Sequence, residues 1–189
     1  AEVSLPLPGR HNIANPLAAT AVALALAVPL ETFVAGLEQV PGVDGRLRRE
    51  VTTAGWTLID DSYNANPGSM AAAIDTLRLA GGERWLVLGD MAELGADARA
   101  LHAGIGELAR VRGIDRLFAV GPFGAATVEA FGAGGEHFDD KAALIAVLQA
   151  QLHAGVTCLV KGSRSAGMEQ VVLALGGADK KKGDASDAA

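Results

Sequence analysis

Residues 59–70 read IDDSYNANPGSM and carry more hydrogen-bonding groups than a simple turn requires. Two adjacent carboxylates (Asp60 and Asp61), a hydroxyl, a phenol and two carboxamides stand between an apolar run and a helix start. Asn66–Pro67 already supplies an N-cap and a first helical residue. The carboxylates ahead of it are surplus to capping and read as functional. A second cluster, KGSRS at 161–165, places Lys161 at the end of an apolar strand. Backbone amides and hydroxyls suited to cradling an anion before a helix come next. A lysine snorkelling from a strand end is the plainer alternative. Asp90, in LGDM, serves equally as a turn residue or a site residue. His11, in GRHN, taken alone reads as a loop histidine satisfying a carbonyl, and one of Asn12 and Asn15 as the cap of the helix that follows. His102, His137 and His153 have no partner at metal-ligand spacing and read as surface or packing residues, so no metal site is expected.

The elements around these clusters alternate. RREVTT and WTLIDD form a hairpin across Ala54 and Gly55. Helix PGSMAAAIDTLRLAG then turns Met70, Ile74 and Leu77 inward. Strand RWLVLGD precedes a helix from about Asp97 to Arg112 with Leu101, Ile105 and Leu108 on one stripe. RLFAVG, FGAATVEAFG, a short EHF, DDKAALIAVLQAQLHAG, TCLVKG and GMEQVVLAL continue the pattern. The strands are continuous apolar runs, as a sheet covered on both faces demands. The expected fold is therefore α/β: a Rossmann-like, mostly parallel sheet with helices on both faces. Ligands of such sheets bind beyond the carboxyl ends of the strands. The polar clusters DDSYNAN, GDMAELG, GPFG and KGSRS all fall there. Ahead of this domain, residues 1–44 read as a short strand, a buried Ala-rich helix (PLAATAVALALAVPL) and a helix with Leu30, Phe33, Val34 and Leu37 on one face. VPGVDGR (40–46) marks the break, giving a second unit over 45–177. KKKGDASDAA closes the chain as an unstructured tail over 178–189.

Composition narrows the class. Half of the 189 residues are hydrophobic, a fifth are charged, and the formal charge is −6. That is globular and offers no general basic surface to nucleic acid. Pro16 and Pro29 bracket the Ala-rich run, which falls short of the ~18 apolar residues of a membrane span. The one cysteine, Cys158, lies in an apolar strand and points to a reducing cytoplasm. No phosphate-cradling G-x-x-x-x-G-K-[ST] loop, G-x-S-x-G or H-E-x-x-H motif occurs. Residue logic thus ends at an anion- or nucleotide-binding crevice.

GRHNIAN, the Gly45–Arg46 pair, DDSYNANP, VLGDMAELG and VKGSRSAGME, in this order, resemble the Mur ligase family. Within it they resemble the branch that joins D-alanyl-D-alanine to UDP-MurNAc-tripeptide. The likeness runs from about Leu5 to Leu175. It implies three domains, of which this chain would hold the end of a central ATPase domain and the whole C-terminal Rossmann-like domain. It also implies that His11, Asn12 and Asn15 lie near the adenine of ATP. Arg46 would reach phosphates or ribose, and Asp61 would hold ribose hydroxyls. Asn64 and Asn66 would grip the dipeptide, while Lys161 and Arg164 act on the acyl phosphate. ATP and Mg²⁺ would be required, with the metal ligands mainly upstream. A cytoplasmic monomer, inactive without that upstream part, is the expectation. Two other readings use the same residues: a free-standing nucleotide- or anion-binding module, and a receiver-like phosphoacceptor built on Asp60–Asp61, Asp90 and Lys161.

Overall fold

A computed structural model describes residues 14–38 and 45–183. Helices α1 (Ala14–Ala25) and α2 (Leu30–Glu38) come first, and the α/β unit follows. Its strands are β1 (Arg48–Val51), β2 (Thr57–Asp61), β3 (Glu83–Gly89), β4 (Arg116–Val120), β5 (Gly135–Phe138) and β6 (Val156–Lys161). Its helices are α3 (Pro67–Arg78), α4 (Ala98–Val111), α5 (Gly124–Phe131), α6 (Lys141–Gln151) and α7 (Glu169–Gly183). The sheet order is β1-β2-β6-β3-β4-β5. Strand β1 runs antiparallel to β2 and every other pairing is parallel, as the apolar runs predicted.

Two cores separate cleanly by the twofold alternation of the strands. Leu86 and Leu88 of β3, with Ile59 and Leu159, pack under α3, α4 and α5 through Ile74, Leu77, Ile105 and Phe131. Trp85 and Val87, with Leu58, Cys158 and Val160, pack under α6 and α7 through Leu144, Leu148, Val171 and Leu175. Each large apolar side chain so buried contributes about 1.5–3 kcal/mol. Cys158 is fully enclosed, and burial pushes its thiol up to about 12. The sheet edge β1 carries Arg48, Arg49 and Glu50, charges that discourage pairing with another chain.

Helix α3 shows how local sequence fixes an element. The Asn66 side chain accepts from the Ser69 amide while the Ser69 hydroxyl accepts from the Asn66 amide, a reciprocal capping box, and Pro67 occupies the first turn. Met70, Ala73, Ile74 and Leu77 then fall on the buried face.

Three expectations need correction. The Ala-rich helix forms, but it is not buried: Leu17 and Leu24 are each 64% exposed, and among its described side chains only Ala23 is enclosed. No described element covers its apolar surface, and burial follows contact rather than composition. Helix α6 ends at Gln151, earlier than the apolar run suggested, because Leu152 turns to extended backbone. Helix α7 continues to Gly183, into the segment expected to be unstructured, since Ala and Lys propagate a helix readily once it is nucleated. Apart from these three, the short EHF segment lies within strand β5, at the far edge of the sheet.

Candidate functional site

The parallel strands end on one rim, and the polar clusters meet there. Asp61 and Lys161 are direct register partners on β2 and β6. Two residues earlier on the same strands, Ile59 and Leu159 lie in the core under α3, so the ion pair continues that core to the rim. Lys161 Nζ donates to Asp61 Oδ2 at 2.6 Å and to the Asn64 carbonyl at 2.8 Å. Its side chain is only 3% exposed. An ammonium so enclosed needs both acceptors to offset the loss of water. The lysine expected to act on the acyl phosphate is thus committed to two groups of the protein itself.

The neighbouring carboxylates divide their work. Asp60 Oδ1 accepts from the amide and hydroxyl of Ser62, at 3.0 and 2.6 Å, and Oδ2 accepts from the Gly45 amide at 3.1 Å. Asp61 Oδ1 accepts from the Leu47 amide at 3.2 Å. The Tyr63 amide in turn donates to the Gly45 carbonyl at 3.0 Å. The turn 45–47 is therefore stitched to the end of β2 from both sides. Gly45 has φ +73°, and a Cβ there would stand 2.9 Å from the Tyr63 nitrogen, so only glycine fits. Between these stitches Arg46 lays its guanidinium 4.8 Å over the Tyr63 ring, a cation–π contact at an exposed position.

A cleft of about 450 Å³ opens here, lined by Asn15, Arg46, Asp61, Tyr63, Asn64 and Lys161 among others. It joins a residue of α1 to the rim of the sheet. Asn64 and Asn66 also line it, but both have local duties. Asn64 Oδ1 accepts from the Ala65 amide, and the Asn66 oxygen caps α3. His11 and Asn12 lie outside the described residues.

Across β6 a second cleft, of about 500 Å³, is lined by Asp90, Pro122, Asp139, Asp140, Lys141, Ser163 and Ser165 among others. Gly89 and Gly162 make it possible. A Cβ on Gly89 would meet Met168 and Ala166 at 2.7–2.8 Å, and one on Gly162 would meet Met168 at 2.5 Å. This close approach lets the Ser163 amide donate to the Asp90 carbonyl at 2.9 Å. The Asp90 carboxylate accepts from the Phe123 amide at 3.2 Å. Burial pushes its carboxyl above the usual range, partly offset by the hydrogen bond from the Phe123 amide. His102 Nε2 stands 3.7 Å from Asp90, yet it accepts from the Met91 amide at 2.9 Å, while Nδ1 lies 2.7 Å from the Ala98 carbonyl. A ring that accepts at Nε2 carries its proton on Nδ1, so it gives Asp90 no hydrogen bond. Of the two places expected for His102, surface or packing, it takes the buried one. Arg164, between the lining residues Ser163 and Ser165, is itself 70% exposed, with Nη1 3.6 Å from Glu169.

Sequence reasoning missed Tyr63 as the seat of Arg46, and Lys141 and Asp140 as lining of the second cleft. The turn cluster GPFG and the acidic pair before α6 were visible, but nothing in one sequence joins them across the rim.

Known proteins share the family and the fold of this chain. Residues 45–164 match the family described as Mur ligase, glutamate ligase domain. The chain is 51% identical over 176 residues to the UDP-N-acetylmuramoyl-tripeptide–D-alanyl-D-alanine ligase of Escherichia coli K12, covering 92% of this chain and 39% of that protein. It superposes on the UDP-N-acetylmuramoylalanyl-D-glutamyl-2,6-diaminopimelate–D-alanyl-D-alanyl ligase of Acinetobacter baumannii with a TM-score of 0.83 and 39% identity, over 92% of this chain and 38% of that one. The fold also matches the MurF ligase of Thermotoga maritima in complex with ADP, TM-score 0.80 at 23% identity, over 93% and 40% of the two chains. This chain thus spans about two-fifths of the length of the relatives it matches. On the family match and the shared architecture, the chain belongs to the Mur ligase family.

Proposed function

We propose that this chain is the C-terminal part of an ATP-dependent ligase that joins D-alanyl-D-alanine to UDP-MurNAc-tripeptide in peptidoglycan synthesis. Residues 1–44 would end the ATP-binding domain and residues 45–177 would close over the reacting groups. The observation that carries this reading is the first cleft, where Asn15 of the helical segment meets Arg46 and Asp61 of the rim. The exposed apolar face of α1 supports an upstream partner for that helix. The named activities of the matched relatives support the choice of dipeptide and tripeptide.

The cleft fits a nucleotide by chemistry. Arg46 offers an exposed cation for phosphate oxygens, Asp61 a carboxylate for ribose hydroxyls, and Asn15 a carboxamide for the base edge. The ADP held by the Thermotoga relative supports a nucleotide in this family. ATP supplies the phosphoryl group that activates the tripeptide carboxylate as an acyl phosphate. Arg164, an exposed cation, suits the charge that gathers on phosphoryl and carbonyl oxygens as the dipeptide amine attacks. Asn64 and Asn66 remain candidates for the dipeptide, and the second cleft offers both carboxylates and an ammonium to a zwitterion. Holding the amine against the acyl carbon is an entropic contribution that a closing domain makes. Among the described residues no group of three His, Cys, Asp or Glu side chains can hold a metal. In this reading Mg²⁺ would be held mainly by upstream residues together with the ATP phosphates, and no step is routed through it.

The test is Asp61→Ala in the full-length protein, assayed for ATP-dependent joining of D-Ala-D-Ala. A fall in kcat/KM of about 10²-fold or more is expected. Wild-type activity would refute the assignment.

A further inference from the structure

The mechanism above leaves Lys161 without a substrate-facing role, and its surroundings suggest another. Its ammonium is almost wholly enclosed and spans two segments: the end of β2 through Asp61, and the loop beyond it through the Asn64 carbonyl. Asp61 is itself bifunctional. While Oδ2 accepts from Lys161, Oδ1 accepts from the Leu47 amide. Leu47 is a buried residue with φ +52°, in the left-handed region that a branched side chain adopts only when its surroundings hold it there. The residue before it is Arg46, whose guanidinium rests on Tyr63 at the mouth of the first cleft.

We infer that Lys161 is a positioning residue that acts through Asp61. By fixing the Asp61 carboxylate it keeps Oδ1 on the Leu47 amide, holds Leu47 in its left-handed conformation, and so sets where the Arg46 guanidinium stands. The links are three: ammonium to carboxylate, carboxylate to amide, and amide to the preceding side chain through the backbone. That Arg46 then meets nucleotide phosphate rests on the function proposed above; the positioning itself does not.

The experiment has two arms. In the first, amide spectra and hydrogen exchange of the 189-residue chain are compared between the parent and Lys161→Gln, with Lys161→Arg as a second variant that keeps the cation but moves its donors. The Arg46 and Leu47 amides should shift in both variants. Leu47 should exchange about tenfold faster, the factor that one lost hydrogen bond corresponds to, while Leu86 in the central strand keeps its protection. An unmoved Leu47, or protection lost evenly across the sheet in both variants, overturns the inference. In the second arm the same variants are made in the full-length protein. KM for ATP should rise about tenfold with kcat at saturating ATP within about threefold of the parent, the signature of lost binding rather than lost chemistry. A collapse of kcat at unchanged KM overturns the inference, because the ammonium would then touch reacting atoms. If Leu47 responds in the first arm while the parent full-length protein binds no ATP, the positioning role stands and the proposed function falls.

Discussion

Helices α1 and α3 are equally long, at 12 residues each, and α1 is much the more apolar by sequence. Yet α3 buries Met70, Ala73, Ile74 and Leu77, whereas α1 leaves Leu17, Val22 and Leu24 in solvent. The difference lies in partners and ends. Helix α3 has a capping box, a first-turn proline and a sheet beneath it. Helix α1 touches α2 and has no described layer over its apolar side. Apolar content thus says that a helix has something to bury; it does not say that the cover is present.

Substitutions can test that contrast. Leu77→Ala in α3 removes a fully buried side chain and should lower stability by about 2–5 kcal/mol, read as a fall in the urea midpoint of the chain. Asn66→Ala removes the α3 cap and should cost about 1 kcal/mol in the same measurement, with the slope of the transition unchanged. Leu24→Ser in α1 should change stability by no more than about 0.5 kcal/mol. A loss at Leu24 as large as that at Leu77 would mean that α1 is docked in solution, and the contrast would fail.

How much could be seen beforehand follows the same line. The α3 face was legible because its period, its cap and its proline all sit within a dozen residues. The parallel sheet was legible because its strands are apolar on both faces. The rim was legible as a place, since the polar clusters recur at strand ends, but its pairings were not. Asp61 and Lys161 stand 100 residues apart in sequence, and only the register of β2 on β6 makes them neighbours. The contact of Arg46 with Tyr63 depends on the stitching of the 45–47 turn, which no local pattern announces. The adjacent pair Asp60–Asp61 held a partial clue. Consecutive strand residues face opposite sides, so one carboxylate was bound to serve differently from the other. Which one would meet a lysine could not be read without the neighbouring strand.

The solitary Cys158 in the centre of the sheet has a practical consequence. Its thiol is fully enclosed and held far from its reactive thiolate form. A thiol-labelling reagent therefore reaches it only when the sheet between α3 and α7 opens. Because the chain has no other cysteine, each label marks one chain whose sheet has opened. This chain thus carries its own reporter of unfolding, readable by mass without any engineered probe.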